Sequence, residues 1–168
     1  MSILKSQNIL FVEKFPYQDG GTPTDKILIL LSIDEESALI LQAKVTSTQN
    51  CPDAYKKHGC CNTNPVLGIS HYCFTPYRQI GEKIDGSKFS FEKYTFVYFK
   101  DDIFEMKALD YITKLKGNTR LLGKLSNSEF KRFLKCAQGS KTIKIKHKEK
   151  VKKLYETIFC TVDKNIAD

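Results

Sequence analysis

For its first hundred residues the chain alternates short apolar runs with turn-forming residues. Asn8–Phe15 is the first run of strand length. After it, Gly20 and Gly21 permit positive φ, and Pro16 and Pro23 stop a ladder. Lys26–Ile33 is a nearly continuous Ile/Leu run bounded by Asp34-Glu35-Glu36, the pattern of a buried strand. Residues 38–46 form a third strand. The short acidic connection before it predicts an antiparallel hairpin, because a parallel crossover needs about a dozen residues. From 48 to 67 the periodicity is lost, and this segment is expected to be a long inserted loop. A strand resumes at 68–76, a Gly-containing connection covers 79–90, and two more strands, 94–100 and 103–106, meet at Asp101-Asp102. In the first of these, period two places Phe96 and Tyr98 on one face and Val97 and Phe99 on the other.

Beyond Met106 the period becomes helical. Leu109, Ile112 and Leu115 share a face, with a stop at Gly117-Asn118. Ser126-Asn-Ser-Glu129 matches a capping box and opens a helix that buries Phe130, Phe133, Leu134 and Ala137, ending at Gly139. A last helix starts near Lys146, with Val151, Leu154, Tyr155 and Ile158 as its stripe. The fold class is therefore α+β, mainly β: a small antiparallel β-barrel followed by C-terminal α-helices. The barrel domain spans 1–138 with its insert at 48–67. Residues 139–168 form a basic helical extension packed on the same domain.

Composition narrows the class. At 168 residues a single domain with a real core is expected. The longest apolar run, Ile27–Leu31, is far short of the roughly 20 residues of a membrane helix. The N-terminus lacks the pattern of a signal peptide, so the expected location is the cytoplasm and the six cysteines are expected to be reduced thiols. Of the net charge of +8, a formal +6 lies in Lys141–Lys153, so the body is not uniformly basic. Arginine is scarce: Arg78, Arg120 and Arg132 are the whole set.

Four stretches resemble the MazF/PemK family of RNA-cleaving toxins. They are Asn8-Ile-Leu-Phe-Val-Glu with its Gly-rich turn, Ile27-Leu-Ile-Leu-Leu-Ser, and Leu39-Ile-Leu-Gln-Ala-Lys-Val-Thr-Ser. The fourth runs from Phe89-Ser-Phe-Glu-Lys-Tyr-Thr-Phe-Val-Tyr-Phe through Ile103-Phe-Glu-Met to Gly123-Lys-Leu-Ser-Asn-Ser-Glu-Phe. The resemblance covers roughly residues 8–138 and implies an SH3-like barrel. It also implies a homodimer, a cognate antitoxin partner, no membrane association, and metal-independent cleavage of single-stranded RNA through its 2′-hydroxyl with no cofactor. The family's hydroxyl position falls at Thr46 or Ser47. Its arginine position falls at Asp25, beside Lys26, so Lys26 or Arg78 is expected to supply the positive charge. Lys44, Lys56, Lys57 and His58 are the expected RNA contacts.

Other chemistry competes with this reading. His58-x-Cys60 and His71-x-Cys73, with Cys51 nearby, suggest zinc, yet no Cys-x-x-Cys knuckle exists. Ordinary thiols and no metal are the expectation, with a zinc-stabilised binding module as an alternative. His58 or His71 is a candidate general acid or base. The aromatics between Tyr72 and Phe99 are expected mostly in the core, with any exposed ones free to stack bases. The lysine run is a solvated helix face or a phosphate contact. A further alternative is a catalytically inactive barrel that binds RNA or protein, motivated by the missing arginine.

Overall fold

The computed structural model describes residues 4–16, 21–35, 39–47, 51–64, 69–114 and 116–160. Gly20, Glu36, Leu115 and the two ends of the 48–67 segment, which figured in the sequence reading, lie outside them. Ten strands and three α-helices occur among the described residues, in the order β1 (Asn8–Phe15), β2 (Thr24–Asp34), β3 (Leu39–Val45), β4 (Gly59–Asn64), β5 (Ile69–Phe74), β6 (Gly81–Lys83), β7 (Lys88–Phe89), β8 (Thr95–Tyr98), β9 (Ile103–Lys107), α1 (Ala108–Lys114), β10 (Thr119–Leu125), α2 (Asn127–Gly139) and α3 (Ile145–Phe159). The protein is mainly β, antiparallel throughout, with helices at its C-terminal end.

β1 lies at the centre of a seven-stranded sheet, order β7-β6-β10-β1-β2-β3-β9; β4-β5-β8 form a second sheet. The two sheets touch where β3 ends. Thr46 and Phe96 exchange backbone hydrogen bonds of 2.9 and 2.7 Å in an isolated antiparallel bridge. Among the described residues the edge strands β7 and β9 do not pair, so in place of the expected barrel there are two antiparallel sheets joined by one bridge.

β1 and β2 are apolar on both faces because both faces are covered. Ile9, Ile29 and Leu31 join the larger core with Tyr72, Phe74, Val97, Phe99, Phe130 and Phe133. Leu10, Val12, Leu28 and Leu30 join a second core, on the other face, with Ile40 and Tyr111. The near-continuous run 26–33 thus reads correctly as a buried strand. β8 shows the expected alternation: Val97 and Phe99 enter the larger core, while Phe96 and Tyr98 stack 5.8 Å apart against Cys51 and Cys73.

Five expectations need correction. Within the 48–67 segment, expected as an inserted loop, the described residues 51–64 include a strand. The Gly59–Asn64 stretch is β4, invisible to periodicity because it pairs with β5 without an apolar alternation of its own. The 79–90 connection holds β6 and β7. Thr119–Leu125, not foreseen as a strand, is β10, paired on one side to β1 and on the other to β6. There Gly123 lets β6 approach closely, since a Cβ at Gly123 would collide with the Glu82 carbonyl. α1 buries Tyr111 and leaves Leu109 70% exposed, because the helix continues directly from β9 and inherits its orientation. Finally, not all cysteines are thiols: Cys60 of β4 is bonded to Cys136 of α2, while Cys51, Cys61, Cys73 and Cys160 remain outside any disulfide.

α2 begins as its sequence specifies, with the Ser126 hydroxyl accepting from the Glu129 N–H at 3.2 Å. α3 packs Val151, Leu154, Tyr155 and Ile158 on the larger core. Its polar side is fastened to β9, with Lys150 and Lys146 lying 2.8 and 3.6 Å from the Glu105 carboxylate. Burial pushes Glu105 upward, but these lysines outweigh it and hold the carboxyl below its usual range. Part of the lysine run therefore has a structural task.

The disulfide spans 76 residues of sequence. By loop-closure entropy its loss should cost roughly 4 kcal/mol. Urea titration with and without dithiothreitol checks this: reduction should lower the extrapolated unfolding free energy by that amount, and Cys160→Ser, at an exposed position, should leave it unchanged.

Candidate functional site

The antiparallel register assembles the first candidate site. The β2–β3 ladder ends with Ile27 paired to Val45, so Lys26 and Thr46 are the residues next to its last pair. Asp25, Lys26, Thr46 and Ser47, with Phe11, Ile27, Val45 and Thr95, line an open cleft of about 380 Å³. The Asp25 carboxylate accepts from the Lys14 backbone N–H at 3.1 Å and is exposed. The cleft thus combines a carboxylate, an ammonium and three hydroxyls where β2 begins and β3 ends.

Ser47 also belongs to a neighbouring cleft of about 420 Å³, lined by Lys56, Pro76, Glu92, Lys93, Tyr94 and Phe96. Lys56 is anchored to Asp53 at 2.7 Å, and its ammonium lies 5.8 Å from the Tyr94 ring centroid. The two clefts are the two sides of the Tyr94-Thr95-Phe96 stretch where it meets the end of β3.

The remaining expected residues lie elsewhere. Arg78 is exposed on the turn after β5 and does not line the Lys26–Thr46 cleft; its charge acts on His58 and Tyr72. Lys44 is paired with the buried Asp102 at 3.3 Å. Lys57 is exposed and lines neither cleft. Of the residues weighed for the alternative zinc site, Cys60 is in the disulfide, and His71 Nε2 lies 3.2 Å from the Tyr55 carbonyl, its ring edge-on to Phe96 and Tyr98. His71 is fully buried and out of reach of a substrate. Burial pushes the Cys73 thiol up to about 12, making it a poor thiolate donor.

His58 belongs to a polar cluster that the sequence did not reveal. Its Nδ1 accepts from the Thr75 N–H at 3.4 Å, so Nε2 carries the proton and faces Glu129 Oε1 2.9 Å away, in a close but poorly aligned contact. The same carboxylate oxygen accepts from Tyr72 Oη at 2.8 Å, and Arg132 stands 3.8 Å from the other oxygen. Glu129 is 3% exposed. Burial lowers the His58 pKa despite the opposing pull of Glu129, and it raises the Tyr72 hydroxyl, with the Glu129 charge acting in the same sense. His58 and Tyr72, with Cys60, Asn62, Arg132 and Lys135, line a third cleft of about 410 Å³. The capping-box motif concealed Glu129: its backbone caps the helix as expected, but its side chain turns into the core.

The chain matches no protein-family model and no curated protein. No helix among the described residues is long and apolar enough to cross a membrane.

Tyr72→Phe should cost about 1.5–3 kcal/mol, the value of a hydrogen bond to a charged group, measured as the shift in unfolding free energy at pH 7. Burial is also the main cause of the lowered pKa of His71. Below its unfolded value of about 6.5 the unfolded chain takes up that proton first. Stability should therefore fall as pH drops through that value, and levels off once the folded form is protonated too. His71→Gln should lose this component of the slope in urea midpoints measured from pH 7.5 to 5.

Proposed function

We propose that this chain is a MazF/PemK-like endoribonuclease that cuts single-stranded RNA in the Lys26–Thr46 cleft. One observation carries the reading. Lys26 and Thr46, at the start of β2 and just past the end of β3, line one cleft together with Asp25 and Ser47. In this scheme the RNA 2′-hydroxyl gives its proton to the Asp25 carboxylate and its oxygen bonds to phosphorus. The bond from phosphorus to the 5′ oxygen breaks, and solvent protonates that oxygen. Lys26 balances charge on the phosphoryl oxygens, and the Thr46 or Ser47 hydroxyl orients the phosphate. A lysine acts here as a point charge, without the planar fork of an arginine. The reading also brings a homodimer, an antitoxin that occupies the groove, and a cytoplasmic setting. In that setting Cys60–Cys136 would be exposed to reduction.

A second reading, an inactive barrel that binds RNA or protein, is favoured by the position of Arg78, which stands with His58 and not in the cleft. Incubating a long single-stranded RNA with purified protein in EDTA separates the two. The nuclease is expected to leave discrete fragments with 2′,3′-cyclic phosphate ends. Their yield should fall at least a hundredfold in Lys26→Ala and in Thr46→Ala/Ser47→Ala. RNA left intact at high protein excess would reject the nuclease.

A further inference from the structure

Most of the aromatic residues on the described strands are buried, but Tyr94, one residue before β8, is 41% exposed. Tyr94 borders the cleft that shares Ser47 with the Lys26–Thr46 cleft. We propose that this second cleft is a nucleobase pocket, in which Tyr94 stacks one unpaired base of the RNA whose backbone lies in the first. The proposal rests on the RNA reading above and adds where the chain would hold a base.

Four features support it. The first is continuity. Ser47 lines both clefts, and Tyr94 and Thr95 are consecutive residues on opposite sides of the divide, so a nucleotide's phosphate and base could be held at once. The second is shape. At about 420 Å³ the cleft lies within the range of small-ligand sites, roughly 300–1,000 Å³. Its floor includes Phe96, 1% exposed, and Pro76. The third is presentation. Thr95 Oγ1 donates to the Lys93 carbonyl at 2.9 Å, which pins the turn carrying Tyr94. The fourth is charge. The Lys56 ammonium lies near the outer limit of cation–π range from the Tyr94 ring, so it is weakly engaged there and can donate to a base carbonyl or a phosphate. Glu92 and Lys93 line the same pocket and offer an acceptor and a donor to a base edge. Aromatic stacking tolerates every base, so Tyr94 would serve affinity more than sequence choice.

The test uses the full chain and a 2′-O-methyl RNA oligonucleotide that cannot be cut, with binding read by fluorescence anisotropy. An abasic nucleotide is placed at each position in turn. At one position, loss of the base should weaken binding to the native protein roughly tenfold to a hundredfold. Tyr94→Ala should weaken binding of the intact oligonucleotide by a similar factor and become insensitive to the abasic site. Tyr94→Phe should bind like the native protein, which separates stacking from a folding defect. If the oligonucleotide binds but Tyr94→Ala matches the native protein, or still senses the same abasic site, the pocket is wrong while the RNA reading stands. If the native protein does not bind the oligonucleotide, both fall.

Discussion

The pairing of β1 with β10 is the constraint on which the rest of the structure depends. β1 is near the start of the chain and β10 near its end, so their ladder fixes the whole intervening sequence at once. It places β1 at the centre of the large sheet, covered on both sides, and it sets where α2 must begin. Ser126 follows directly from β10, and its N–H donates to the Ile80 carbonyl while its hydroxyl starts the helix. The position of α2 then determines where Glu129 and Cys136 meet β4 and β5. Non-local pairing of this kind costs loop-closure entropy before any contact rewards it.

The end of β3 is a second organising point. Thr46 leaves one sheet and bridges to Phe96 in the other. Residues on either side of this bridge line the two clefts, Thr95 the first and Tyr94 and Phe96 the second. The polar run Thr46-Ser47 suits such a place, since it ends the apolar ladder and offers hydroxyls at the surface.

Local patterns in the sequence revealed much of this. Asn8–Phe15 shows as a strand from its composition and the turn after it, and Ser126 as a cap from its spacing to Glu129. The faces of Phe96 and Tyr98 follow from period two. Features that depend on distant partners did not show. Thr119–Leu125 is rich in Leu, Arg and Lys and contains a glycine, which is no strand signature. It is a strand because β1 and β6 flank it. β4 has no apolar alternation, and its place is secured by β5 and by a covalent bond to a helix far along the chain. The cleft was legible in part: Lys26, Thr46 and Ser47 were named from the resemblance and do line one wall. Arg78 does not line that cleft, and nothing local says which way the turn after β5 projects. Glu129 was hidden because its backbone role accounted for its presence.

The bond between Cys60 and Cys136 also divides the molecule topologically. β5 to β10 and most of α2 lie within a covalent ring, with β1–β3 on one tail and α3 on the other. A single backbone cut anywhere inside the ring would leave the pieces joined as one molecule, whereas a cut in either tail would release a fragment held by noncovalent packing alone. The exposed turn around Tyr77 and Arg78 lies inside the ring, so a protease that nicks it would not free either half until the bond is reduced.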